Sequence, residues 1–151
     1  MGRTPKTWKG VERRIARYLD TVRNPLSGGN GKHTRSDSLH PTLYIEAKHG
    51  KYIPKTWAKK RTLFEDTRRK AVLEGKFPVV VLHPKGLNGV GQYPCIIEVA
   101  VAHVWSSRNG GPLLVEVPLE TVRALIPTNP SHVDLAVGPE DDVNATGGAS
   151  L

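Results

Sequence analysis

Leu43-Tyr44-Ile45-Glu46-Ala47-Lys48 alternates in the manner of a β-strand. Leu43, Ile45 and Ala47 share one face, and Tyr44, Glu46 and Lys48 share the other. The apolar face suits a core, which leaves a carboxylate and an ammonium side by side on the opposite face. Asp37 precedes this strand closely enough to bring a second carboxylate to the same spot from a neighbouring strand or turn. Two carboxylates form a hard oxygen site of the kind that takes Mg²⁺ or Mn²⁺. A lysine beside them can orient or deprotonate a water, or neutralise charge on a phosphate. The competing reading is a surface strand carrying a cross-face ion pair.

Working outward, Pro5-Lys6-Thr7-Trp8 opens a helix that runs to about Asp20, with Thr7 as N-cap. At about 100° per residue, Trp8, Val11, Ile15, Tyr18, Leu19 and Val22 fall in one apolar arc, opposite Arg13, Arg14 and Arg17. Glu12 lies between Leu19 and Ala16, at the margin of the buried side. A carboxylate there needs a partner, either a metal or a buried Arg or Lys, unless it snorkels at the edge. Thr21-Val22-Arg23 can start a strand that Pro25 ends. Residues 26–36 are glycine-rich, basic and polar, as a loop should be. Such a loop can reach over a sugar–phosphate backbone or serve only as a connection. It is not a phosphate-cradling Walker loop, because His33 follows Gly31-Lys32 where Ser or Thr is required.

Pro54-Lys55-Thr56-Trp57 repeats the first helix start and opens a second helix to about Glu74, closed by Gly75. Its inner stripe is Trp57, Phe64, Thr67, Ala71 and Val72. Arg61 and Arg68 sit at the stripe's margin, where they reach a groove or lay their stems over apolar surface. Phe77–Leu82 is the continuous apolar run of a buried strand. Strand, helix, strand over this region predicts an α/β fold with a crossover onto a mixed sheet. Further strands are expected over 94–105 and, at an edge, over 112–117, with a short helix over 119–125. The six histidines show no helical ligand spacing; His33, His40 and His49 lie nearest the expected site.

The 151 residues fit one domain over 1–126, and residues 127–151, rich in Pro, Asn, Gly and Asp, read as a flexible tail. A single cysteine rules out an internal disulfide and a cysteine-based zinc finger. No apolar run is long enough to span a bilayer, and the N-terminus lacks the core of a signal peptide, so a cytoplasmic setting is expected. Of the 22 Lys and Arg, 19 lie within residues 1–76, against 7 of the 14 Asp and Glu. So lopsided a charge points to a polyanion, most simply nucleic acid; a solubilising surface is the plainer alternative.

Asp37 followed by Glu46-x-Lys48 resembles the signature of the PD-(D/E)xK nuclease superfamily. Over about residues 9–100, the chain resembles archaeal-type Holliday junction resolvases, which have relatives in viruses. The resemblance rests on Lys9-Gly10, Glu12-Arg13, Val22-Arg23, Ser27, Asp37 and Leu43–Lys48, followed by a helix and an apolar strand. It implies a restriction-endonuclease-like fold with a central mixed sheet flanked by helices. It also implies a Mg²⁺ site from Asp37, Glu46, the Ala47 carbonyl and Glu12, with Lys48 positioning water and Ser27 near the scissile phosphate. Paired nicks in a four-way junction by a homodimer would follow, in the host cytoplasm if the source is viral. Arg13, Arg23, Lys32, Arg35, Lys51, Lys55, Arg61 and Arg68 are the expected DNA contacts. A nuclease on plain or branched duplex, or a non-catalytic DNA-binding protein, are the alternatives.

Overall fold

Residues 7–25, 34–99 and 113–126 are described by a computed structural model of the chain. In chain order they form α1 (Trp8–Tyr18), β1 (Leu43–His49), α2 (Trp57–Leu73), β2 (Phe77–His83), β3 (Pro94–Val99), β4 (Leu113–Pro118) and α3 (Leu119–Leu125). The two Pro-Lys-Thr-Trp copies do the same local work. The Thr7 hydroxyl accepts from the Gly10 N–H at 3.1 Å, and the Thr56 hydroxyl from the Lys59 N–H at 3.2 Å. Each satisfies an amide that a helix N-terminus leaves unpaired. α2 stops at Gly75, whose φ of 66° suits a residue without Cβ. Around it the Lys76 N–H reaches Ala71 O at 2.9 Å and the Gly75 N–H reaches Val72 O at 3.1 Å, a paired helix closure.

The sheet is four-stranded and mixed, in the order β1-β2-β3-β4. β1 and β2 run parallel, with Ile45 opposite Val79 and His49 opposite His83, and α2 makes the crossover between them. β3 and β4 continue antiparallel. Helices cover both faces. Val11 and Ile15 of α1, Leu19 just past its end, and Leu119 and Val122 of α3 pack on Leu43, Ile45, Val79, Val81 and Cys95. Phe64 of α2 packs on Val80, Leu82, Ile96 and Leu114 from the other side. This double burial explains why β2 is an unbroken apolar run. Ion pairs from Lys60 to Glu116 (2.8 Å) and from Arg68 to Glu98 (3.2 Å) tie α2 to β4 and β3.

Several expected core positions face solvent. Trp8 is 50% exposed, because the sheet covers a narrower strip of α1 than the apolar arc spans; Val22, 60% exposed, lies past the end of α1 in the extended segment that meets residues 37–39. Trp57 is 43% exposed and Val72 64%; they belong to the first and last turns of α2, while Phe64, Thr67 and Ala71 between them are buried. Residues 21–25 do not build a full strand. They meet the following segment through one antiparallel bridge, Arg23 with Ser38, made by Leu39 N–H to Val22 O at 2.9 Å and Asn24 N–H to Asp37 O at 3.0 Å. The strand expected over 94–105 is observed to Val99; its remainder and the tail from 127 lie outside the described residues. Among the described residues, no helix is long and apolar enough to cross a membrane.

Candidate active site

β1 changes character along its length. Leu43, Tyr44 and Ile45 are buried, whereas Glu46 through His49 are only partly so. The sheet is therefore sealed at the start of β1 and open at its end, and the charged pair stands at the open end. There Lys48 Nζ lies 2.8 Å from Glu46 Oε1. One edge of β1 is taken by β2. The other is taken by residues 34–40, and this segment places Asp37.

Thr34, Ser36, Ser38 and His40 are all buried, in strict alternation with Arg35, Asp37 and Leu39. Each inward side chain accepts a hydrogen bond from the backbone two residues later. The Ser36 N–H donates to Thr34 Oγ1 (3.0 Å), Ser38 N–H to Ser36 Oγ (3.3 Å), His40 N–H to Ser38 Oγ (3.4 Å) and Thr42 N–H to His40 Nδ1 (3.1 Å). Ser36 also accepts from the Ile45 N–H at 2.8 Å and donates to Ile45 O at 3.2 Å, so a hydroxyl stands in for a strand's main chain. The buried Asn24 amide donates to Thr34 O and Ser36 O at 3.0 Å each. Glu74, past the end of α2, accepts from the Thr34 hydroxyl and, at 3.1 Å, from the Arg35 N–H.

With the register fixed, the Asp37 N–H donates to Ile45 O at 2.8 Å, and the Ala47 N–H donates to Asp37 Oδ2 at 2.7 Å. Strand alternation turns the Ala47 carbonyl toward the same edge. Asp37 Oδ2 is thus held in place, and Oδ1 remains to meet a ligand.

Burial, followed by the nearby charge of Glu46, pushes the Asp37 carboxyl up to about 7; the Ala47 N–H and Lys48 pull the other way, and Glu12 adds to the push. Glu12 is raised too, chiefly by burial, against the pull of Arg23. Three carboxylates therefore feel one another's charge here. Burial and like charge together disfavour a full set of negative charges at this place. Asp37 and Glu46, with the Ala47 carbonyl, offer the oxygen donors that Mg²⁺ takes while keeping several waters. Among the described residues, no three Asp, Glu, His or Cys side chains are gathered into a group that could hold a metal ion.

Glu12 has found the second kind of partner foreseen for it. Arg23 Nε lies 2.5 Å from Glu12 Oε2, with the two side chains only 12% and 8% exposed. Arg23, expected on the DNA surface, is therefore engaged inward. Arg68 is held by Glu98 and points along the sheet toward β3. Arg13, Arg35, Lys51 and Lys55 are exposed and Arg61 is partly buried. Ser27 and Lys32 lie outside the described residues.

Sequence reasoning missed Ser36, Asn24 and the pairing of His49 with His83. The two imidazole Nδ1 atoms are 2.7 Å apart and the rings stack at 4.8 Å, while His83 Nε2 meets Leu87 O at 3.0 Å. If His83 donates through Nε2, its Nδ1 accepts the proton carried by His49 Nδ1. Comparison of the chain with protein-family models, with curated proteins and with solved structures found no match.

Proposed function

We propose that the chain is a metal-dependent endodeoxyribonuclease of the PD-(D/E)xK type that cuts branched DNA, with a four-way junction as substrate and a homodimer as the working form. One observation carries the most weight: Asp37 and Glu46 crowd their charges at the open end of β1, with Lys48 beside them on the same strand. The order of parts agrees with the family resemblance: a helix bearing Glu12, the Asp37 segment, the Glu46-x-Lys48 strand, a crossover helix and a parallel apolar strand. The concentration of basic residues in the first half supplies attraction for the phosphate backbone.

Asp37 and Glu46, with the Ala47 carbonyl, would hold Mg²⁺ or Mn²⁺. When bound, the ion supplies positive charge against the phosphate and a more acidic water. Lys48 donates hydrogen bonds that orient the attacking water, and its pairing with Glu46 keeps the ammonium at the site. Glu12, neutralised by Arg23, stands behind this pair and fixes the position of that guanidinium.

The test is cleavage of a synthetic four-way junction and of a linear duplex of the same sequence, with Mg²⁺ and without it. Wild-type protein should cut the junction only with metal. Glu46→Ala should bind it equally well and cut at under about 1% of the wild-type rate, given what such ligands contribute. Equal cutting of the linear duplex would shift the substrate to plain DNA. No cutting with either Mg²⁺ or Mn²⁺ would leave a DNA-binding protein.

A further inference from the structure

Trp8 belongs to neither core. It is half exposed, yet its surroundings are specific. The Arg23 guanidinium lies 5.2 Å from the indole centroid, and the Lys9 ammonium 5.4 Å from it. Arg23 is the side chain that closes on Glu12 at 2.5 Å. The ring is therefore joined, through one largely buried ion pair, to Glu12, whose charge is felt by Asp37 and which itself feels that of Glu46. Along the same helix Arg13 and Arg17 are exposed.

An indole with a fixed guanidinium and an exposed ammonium over its ring has a well-defined complement once the ammonium gives way. A nucleobase stacks on the ring while the phosphates on either side of it meet the charges. Tyr52 also carries a cation, Lys51 at 5.3 Å, but among the described residues no ion pair leads from it to the carboxylates. We infer that Trp8 is a stacking platform for an unpaired nucleobase, placed so that the strand running from that base passes the Asp37–Glu46 site. Arg23 backs the ring from its fixed position on Glu12, and Lys9, exposed and flexible, moves aside or onto a phosphate. Bases inside an intact duplex are already stacked on one another and cannot reach the indole. The substrate class that follows, resting on the nuclease reading above, is DNA with an unpaired nucleotide at or beside the branch.

The experiment measures binding by fluorescence anisotropy in EDTA. One probe is a duplex with a short thymidine flap; the other is identical except that every flap residue is abasic. Wild type, Trp8→Phe, Trp8→Leu and Trp8→Ala are compared, each checked for folding by its circular dichroism melt. Stacking is worth about 1–3 kcal/mol per base, so Trp8→Ala and Trp8→Leu should weaken binding of the thymidine flap by about 5- to 150-fold. Trp8→Phe should stay within about threefold of wild type, and all four proteins should bind the abasic flap alike. Leucine keeps apolar bulk without a π-face, so it carries the comparison if the alanine variant unfolds. Unchanged binding of the thymidine flap would overturn the platform. Equal losses on both flaps would also overturn it, since the ring would then act only through Arg23. A wild-type protein that never cuts DNA but shows the thymidine-specific loss would uphold the platform and overturn the nuclease.

Discussion

Asp37→Asn should make the metal-free protein more stable at pH 8 while abolishing its response to Mg²⁺. In the unfolded chain this carboxyl loses its proton near its ordinary value of 3.8, whereas in the folded protein it holds it up to about 7. Between those values the folded state binds the extra proton. The stability this contributes is fully present below about pH 4 and is lost as the pH rises through 7. A difference of about three pH units, at about 1.36 kcal/mol each, sets a ceiling near 4 kcal/mol. Relaxation and water entry reduce this to about 1–3 kcal/mol. Asparagine retains an oxygen to accept from the Ala47 N–H, so the substitution removes the charge and little else. Melting curves in EDTA from pH 5 to pH 8 measure the effect, and the difference between the two proteins isolates Asp37 from every group they share. Millimolar Mg²⁺ should then raise the wild-type melting temperature at pH 8 and leave that of the variant unmoved. A variant less stable than wild type at pH 8 without metal would refute the reasoning, because the crowded charge would then be an asset to the fold.

Glu12→Gln leaves the Arg23 cation buried without its counter-charge and should lower stability by about 3 kcal/mol, read from urea unfolding; an unchanged midpoint would show that water already screens the pair. Ser36→Ala removes the hydroxyl that pairs with both polar groups of Ile45, and should weaken Mn²⁺ binding measured by calorimetry at least tenfold by freeing the Asp37 register, a size usual for outer-shell supports. His40 sits below its ordinary 6.5 because burial, and then Lys76, disfavour its charged form. Its contribution is therefore full above pH 6.5 and lost as the pH falls toward its folded value, so His40→Gln should flatten the acid side of the stability profile. Junction affinity should fall steeply with salt, with a log–log slope of about −0.9 for each phosphate neutralised; a flat plot would remove the basic half from DNA binding.

The strand–helix–strand unit was legible because each part carries its own period and punctuation. Leu43–Lys48 alternates, both Thr caps sit at the right offset, Gly75 ends α2, and the β2 run has no polar face to show. Glu46 and Lys48 stand out as charged residues on a half-apolar strand, and Asp37 draws attention by its place shortly before that strand. The 34–40 segment escaped for the opposite reason. It alternates as strictly as β1, but its inward positions are Thr, Ser, Ser and His, and a hydropathy pattern registers only apolar burial. Trp8 was placed inside because an angular projection knows the helix and not the width of the sheet beneath it. Glu12 was foreseen as needing a partner, yet nothing local to it in sequence could single out Arg23, eleven residues on, from a metal.

The run of hydroxyls beside β1 has a kinetic consequence. Each link from Thr34 to Thr42 is donated by one backbone amide to the side chain two residues earlier, so every link depends on the one before it for its position. Such a tape does not fray residue by residue as an ordinary edge strand does. It opens as a single unit, and the amides of Ser36, Ser38 and His40 should exchange with solvent deuterium at one common rate. When it opens, Asp37 leaves with it.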